Sequence, residues 1–410
     1  MAAHLSRVLA VLTAAWLLVP AAVSAQLLPS EPIQLVEGRI VLGGQVAAAA
    51  SSAQDLGYFN YTDYGHNALR LIRLALSGSI EATERVSVLG EIQSENWDRV
   101  RPYALYLRVR PWRDRPVDIQ AGRIPPTFGA YARRAYAVSD PLIGYPLAYQ
   151  YLTSLRSDAL PASADDLLRM RGRGWSVRYP VGVASVDAGL PLVTAFRWDT
   201  GVQVRVGVRP VEVSVAVTNG TLSNPRVEDD NEGKQVAGRL RWQPSAALVV
   251  GLSGARGAYV NDETRELLPP GARQQALTQR AVGLDMEVSQ GHWLVRGESI
   301  WSAWSMPSVR APFIDDPLRA LALSLEGRYK IRAGLYAAGR IDHLTFSHVT
   351  GTVFGGTPTR WDAPVSRWEA GGGYYVRRNV IGKLTYQYNW RESGRVTSKA
   401  FLAGQIVYWF

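Results

Sequence analysis

The sequence predicts an all-β chain: a transmembrane, antiparallel up-and-down β-barrel of about eighteen strands, with sixteen as the alternative count. Three features predict it. Apolar and polar residues alternate with a period of two in one segment after another. The connections between those segments alternate strictly between short and long. The last segment, Ala400 to Phe410, is apolar at every second position and ends on an aromatic ring.

Counting back from the end of that segment, Phe410, Tyr408, Ile406, Gly404 and Leu402 share one face. Its length fits a tilted membrane-crossing strand of roughly 9–11 residues. The segment resembles the C-terminal signature of bacterial outer-membrane β-barrels, which end in Phe with aromatic or apolar residues at alternating positions before it. The resemblance implies an outer-membrane location. It also implies that Ile406, Tyr408 and Phe410 form an assembly signal read by the barrel-assembly machinery.

The chain opens with a different signal. His4 and Arg7 form a basic start, Val8 to Val19 an apolar run, and Val23-Ser24-Ala25 a small-residue cleavage site. Residues 1–25 therefore read as a secretory signal peptide, cut before Gln26, and residues 26–410 as the barrel domain. The apolar run is too short to span a bilayer, and no later segment approaches the ~20 consecutive apolar residues of a spanning helix. A membrane location then requires a closed barrel, because lipid leaves open sheet edges unsatisfied. With 0 cysteines, no disulfide holds the fold. The 13 tryptophans and 19 tyrosines would supply aromatic girdles at two interfaces. The net charge of +10 is almost entirely arginine, since lysine occurs only at 234, 330, 383 and 399. An exported chain rarely meets nucleic acid, so small anions and lipopolysaccharide are the expected partners of that charge.

Alternation is clearest where Val202, Val204, Val206 and Val208 interleave with Gln203, Arg205, Gly207 and Arg209. It resumes after Pro210 with Val211, Val213, Val215 and Val217. Two such strands on a two-residue turn make a hairpin with one apolar face. The same pattern predicts strands near 34–47, 68–80, 85–94, 102–110, 116–123, 172–179, 182–191, 201–209, 211–218, 235–243, 246–255, 279–289, 292–301, 318–328, 331–342, 366–376, 379–390 and 400–410. The segments 34–47 and 246–255 carry the weakest pattern, which is why sixteen remains open. Long connections fall at 48–67, 95–101, 124–171, 192–200, 219–234, 256–278, 302–317, 343–365 and 391–399, with short turns between. Short periplasmic turns facing long extracellular loops are the arrangement of outer-membrane barrels.

Faces follow from the period. Outward fall Ile72, Leu74 and Leu76; Leu105, Leu107 and Val109; Val282, Leu284 and Met286; Leu321, Leu323 and Leu325; and Leu384, Tyr386 and Tyr388. Inward fall Arg108, Arg110, Asp118, Gln120, Arg205, Arg239, Arg241, Asp285, Glu287, Arg296, Glu298, Arg332, Arg340, Arg367, Glu369, Lys383 and Gln387. An arginine facing lipid at mid-depth costs ~2–4 kcal/mol, so these side chains belong to the lumen. A wall this wide encloses an aqueous channel by default.

The longest connection, 124–171, holds Tyr131, Tyr136, Tyr145, Tyr149 and Tyr151, too apolar for a disordered loop, and the available place to pack is inside the barrel. In this it is similar to the third extracellular loop of general porins, which folds inward and narrows the pore. Gly122 to Gly129 (GRIPPTFG) also resembles the G-x-x-x-P-x-F-G strand end of the phosphate-selective porins. That family is expected to use lysines along with arginines, so phosphate specificity is not carried over. The porin resemblance implies a possible homotrimer and passive diffusion of small hydrophilic solutes. If the loop folds in, Arg133, Arg134 and Arg156 would stand opposite the wall residues Arg108, Arg110, Arg205 and Arg239. A constriction lined by one sign of charge concentrates counter-ions. The alternative is that these arginines pair with Asp140, Asp158, Asp165 and Asp166 and simply pin the loop to the wall. A non-channel barrel with a structural, adhesive or receptor role is the corresponding alternative function.

Other chemistry is unsupported by the sequence. Glu228 to Glu232 and Asp262-Glu263 read as solvated charge runs in outer loops. The histidines beyond the signal, His66, His292, His343 and His348, have no ligand spacing that would hold a metal. His343 and Ser347 lie in one loop without the third group or motif a hydrolase needs. No catalytic residue, cofactor or metal is expected, and the chain reads as a non-enzyme.

Overall fold

In the computed structural model, residues 29–52, 72–97, 100–195, 198–228, 233–314, 317–392 and 400–410 are described. The expected signal peptide, the part of the first long connection from residue 53 on with His66, positions 229–232 and the segment 393–399 lie outside them. Residues 48–51 of that connection extend the first wall strand. Glu31–Phe410 forms one unit. Its wall strands are β1 (Ile40–Ser51), β2 (Ile72–Thr83), β3 (Val86–Glu95), β4 (Arg101–Val109), β5 (Val117–Ile124), β6 (Asp199–Val208), β7 (Val211–Thr218) and β8 (Gln235–Trp242). The second half comprises β9 (Leu248–Ala258), β10 (Thr278–Gln290), β11 (Trp293–Trp304), β12 (Leu318–Arg332), β13 (Leu335–Phe346), β14 (Val365–Arg377), β15 (Val380–Arg391) and β16 (Ala400–Trp409).

Each strand pairs antiparallel with its neighbours in chain order, and β1 pairs with both β2 and β16. The sheet thus closes as a sixteen-stranded barrel with no free edge along the wall. Gln45 to Ser51 of β1 face β16, and the main chain of Gly44 exchanges two hydrogen bonds with Phe410 at 3.0 and 3.1 Å. Below that point a short extra strand, Ile33–Leu35, takes over the edge of β1 at Ile40 to Leu42. Two partial partners cover one edge end to end.

Parity sorts the side chains as expected. Leu76, Leu105, Leu107, Val282, Leu284, Met286, Leu323, Leu325, Leu384 and Tyr386 are exposed on the outer wall. Asp118, Gln120, Arg340, Arg367, Glu369, Lys383 and Gln387 are buried inside. Outward aromatics gather at both ends. Trp242, Trp293, Tyr329 and Tyr374 ring the turn end, with Trp293 and Tyr329 packed at 4.6 Å; Trp301, Trp368, Tyr386 and Trp390 ring the loop end. Such belts sit where a bilayer meets water, with the aliphatic band between them in hydrocarbon. Tyr408 and Phe410 belong to the turn-end ring, 6.1 Å apart.

Sixteen is the alternative count, reached by an unexpected route. The weakly patterned segments at 34–47 and 246–255 do build wall strands, as β1 and β9. The strands expected at 172–179 and 182–191 do not. There Val177 makes an isolated bridge to Asp187, and Val181–Gly182 pairs with Ala159–Leu160. The reason is burial on both sides: Val177 and Tyr179, at 0 and 3 % exposure, pack in a core inside the barrel. That core selects apolar residues at alternate positions just as lipid does. Gly174 and Gly189 let this segment press against the carbonyls of Leu152 and Thr153, where a Cβ would overlap the oxygen. The connection expected at 124–171 therefore continues to residue 198.

Removing Phe410 deletes the two main-chain bonds that end the β1–β16 seam. The folded, heat-modifiable band of this variant on a semi-native gel is expected to fall well below wild type, and full recovery would contradict the seam's importance.

Candidate functional site

Residues 125–195 enter the barrel after β5 and cross the lumen. The ring of Phe128 lies over Gly283 of β10. The amide of Gly129 donates to Ser253 Oγ of β9 at 3.1 Å, and that of Ala130 to Glu298 Oε1 of β11 at 2.8 Å. On the far side, Tyr136 donates to Glu91 Oε2 of β3 (2.8 Å), and the amide of Val138 to Gln45 Oε1 of β1 (3.2 Å). The path then dips to Pro141, whose carbonyl accepts from Tyr336 of β13 at 3.0 Å. It rises again where Tyr145 receives Arg73 Nη1 of β2 at 2.9 Å. Beyond it, Tyr149, Tyr151, Leu155, Leu160, Leu167 and Leu192 form an apolar core with Ile300, Ala322 and Leu344 of the wall. A long loop full of aromatic side chains has only the lumen in which to bury them, since the outer face meets lipid.

Where the loop meets β12–β15 the contact is dry and ionic. Arg340 is fully buried between four carboxylates. Glu326 lies at 3.2 Å, Asp342 at 3.3 Å and the loop's Asp140 at 3.7 Å, with Glu369 the closest partner; Arg340 also donates to the carbonyl of Gly144. Beside it the Lys383 ammonium donates to the carbonyls of Ala137, Asp140 and Leu142. Arg367 adds bonds to Tyr145 O (3.1 Å) and Gln150 Oε1 (2.8 Å). Burial raises the Asp140 carboxyl to about 6 against the pull of Arg340 and Lys383, and its Oδ2 accepts from Tyr131. Breaking one partner out of such a buried set is costly, because the charges left behind lose their compensation.

The opposite side of the lumen differs. On β4–β6 a single carboxylate, Asp118, faces three arginines: Arg108 in direct contact, Arg110 at 3.6 Å and Arg205 at 3.5 Å. Their side chains are 24, 56 and 30 % exposed, against 0 % for Arg340, so solvent reaches this side and not the other. The loop brings Arg133 to the same place, with its Nε on Pro126 O at 2.9 Å. Burial, then the neighbouring charges of Arg205 and Arg239, lowers its guanidinium to about 10, which leaves it cationic at neutral pH.

The expected site residues therefore divide into two sets. Arg108, Arg110, Arg205 and Arg133 converge. Arg239 is paired with Asp285 at 2.6 Å, and Arg134 with Glu287 at 3.3 Å, where both support the loop's entry. Arg156 is buried in the loop's own core, held by Asp158 and the carbonyls of Val177 and Ser185, and pins instead of lining the lumen. Asp362, between β13 and β14, was not singled out by sequence. It accepts from the amides of Ser154 (2.7 Å) and Gly172 (2.8 Å) and organises the loop's second half, and no spacing marks it. His343 faces outward and bonds Ser366 at 2.9 Å. Among the described residues no group of metal-ligating side chains converges.

Lys383→Met would leave three loop carbonyls without their donor, a loss of about 1–3 kcal/mol for a buried group left unsatisfied. Amide hydrogen exchange over residues 137–142 is expected to accelerate while the wall strands stay protected. Unchanged exchange there would contradict the pinning role.

No protein-family model matches the chain, and no curated protein matches its sequence. Solved structures do match its fold. Salmonella typhi OmpF in complex with daunomycin aligns with a TM-score of 0.54 at 12% identity, over 90% of this chain and 97% of that one. The outer-membrane expressed OmpT of Vibrio cholerae gives 0.53 at 10% identity, over 92% and 100% of the two chains. The anion-selective porin from Comamonas acidovorans gives 0.51 at 11%, over 90% and 99%. At these identities the likeness speaks for the fold alone: the chain folds as a porin-like β-barrel.

Proposed function

We propose that the protein is an outer-membrane porin that passes small hydrophilic solutes by passive diffusion, with a modest preference for anions. Its path runs between the inward loop and the wall formed by β4–β8. The observation that carries this reading is the solvent-reached cluster of Arg108, Arg110 and Arg205 around the carboxylate of Asp118, with the more buried Arg133 of the loop and Glu212 of β7 close by. A passage with low-dielectric walls and an excess of one charge raises the local concentration of counter-ions. In this reading the first 25 residues direct export, the loop end faces outward, and the turn end faces the periplasm. The barrel-assembly machinery reads the last strand, and lipopolysaccharide borders the loop end. The protein has no enzymatic role. The trimeric state named for an in-vitro folded OmpT of Vibrio cholerae makes a homotrimer the natural expectation.

A second reading is a closed barrel with a structural or receptor role. The dry network around Arg340 and Lys383 and the apolar core above it favour that reading, since both fill lumen with buried side chains.

Planar-bilayer recordings separate the two. A porin gives stable conductance steps in the wild type, with reversal potentials in a salt gradient that report anion preference. The double variant Arg108→Glu/Arg205→Glu should move that preference to cations. A closed barrel gives no steps until Tyr131 to Leu160 are deleted, and that pattern would overturn the porin reading.

A further inference from the structure

The outer wall carries a feature that the lumen does not explain. Arg256 on β9 and Arg280 on β10 are direct cross-strand partners, and Arg280 is next paired with Ala303 of β11, which pairs with Arg319 of β12. All three arginines are exposed, share the outward parity, and lie at the loop end of their strands. Like charges placed opposite one another destabilise a sheet. Among the described residues, none of the three guanidinium groups has an ion-pair or hydrogen-bond partner. Elsewhere near the loop end, outward positions include apolar or aromatic side chains such as Ile72, Val217, Trp368 and Leu402, and single polar ones such as Arg123 and His343. No second row of unpartnered arginines occurs there among the described residues.

The surroundings complete a site. A cavity of about 360 Å³ opens beside Arg256, beneath the overhanging residues 260–277, and Lys234, Arg256, Arg265 and Asp262 are among its lining. Towards the bilayer centre the next paired positions are Gly238, Gly254, Val282, Trp301 and Leu321, and below them come Leu240, Leu252, Leu284 and Leu323. Gly254 would have nothing within 4 Å of a Cβ, so a shallow trough bordered by apolar side chains descends directly under Arg256. From Arg256 to Arg319 the row covers three strand spacings, about 14 Å. That length exceeds a single phosphate.

We propose that this row and the trough beneath it bind one lipid of the leaflet at the loop end, whose headgroup carries more than one phosphate. Arginine forks receive the phosphates, which supply the counter-charge the wall lacks, and an acyl chain lies along Gly238 and Gly254. The assignment rests on the membrane placement of the barrel and not on whether the lumen conducts.

The test uses the full chain in detergent, with binding of bisphosphorylated lipid A measured by native mass spectrometry. Parallel titrations use phosphatidylglycerol, which carries a single phosphate, and zwitterionic phosphatidylethanolamine. The triple variant R256Q/R280Q/R319Q is expected to bind lipid A about a hundredfold more weakly than wild type, with heat-modifiability and conductance unchanged. Should that variant fail to fold, Arg280→Gln alone is expected to lose about fivefold. Retained lipid A affinity in the folded variant, or phosphatidylglycerol binding as tightly as lipid A, would overturn the proposal. A wild type that binds lipid A without conducting would leave this site standing and remove the porin reading.

Discussion

The hydrogen-bonded seam between β1 and β16 is the constraint on which the rest depends. In hydrocarbon an unpaired strand edge has no solvent to satisfy it, so a sheet that crosses a membrane has to close. Here Gln45 to Ser51 pair with the last strand, Phe410 bonds Gly44, and Ile33–Leu35 covers what remains of the β1 edge. Closure separates a lipid-facing side from an enclosed one. With a period of two, it then places every alternate side chain in one environment or the other.

Enclosure poses the next problem. Sixteen strands surround more space than wall side chains fill. The chain answers with residues 125–195, which carry enough tyrosine and leucine to form a core of their own against Ile300, Ala322 and Leu344. Two kinds of polar surface divide the lumen that is left. Around β12–β15, Arg340, Lys383 and Arg367 are spent on holding the loop. Around β4–β6, Arg108, Arg110 and Arg205 share one carboxylate and stay in contact with water. The same residue type thus serves as anchor or as lining, according to how many carboxylates and carbonyls surround it.

Much of the wall was legible from sequence because lipid and lumen impose opposite chemistry on alternate residues. The hairpin at Val202–Val217 and the leucines of β12 could hardly be read otherwise. Legibility failed at 172–179 and 182–191, where a dry core inside the barrel imposes the same alternation on chain that is not wall. It failed again within the site. Arg133 and Arg156 look equivalent in sequence, yet one stands beside the arginines of the β4–β6 wall and the other is sealed against Asp158 and two carbonyls. Pairing of that kind depends on tertiary approach, as does the role of Asp362, and neither leaves a spacing to read.

Residues 125–195 pack inside a closed barrel and touch its wall from within. Because the sequence contains 0 cysteines, a single introduced pair reports without background. Cysteines at Gln45 and Val138, in contact across the lumen at 3.2 Å between Gln45 Oε1 and the Val138 amide, can be treated with a short bifunctional thiol reagent in intact outer membranes. An intramolecular cross-link is expected in the folded, heat-modifiable form. Absence of that cross-link, with both thiols reactive toward a large impermeant maleimide from outside, would contradict it.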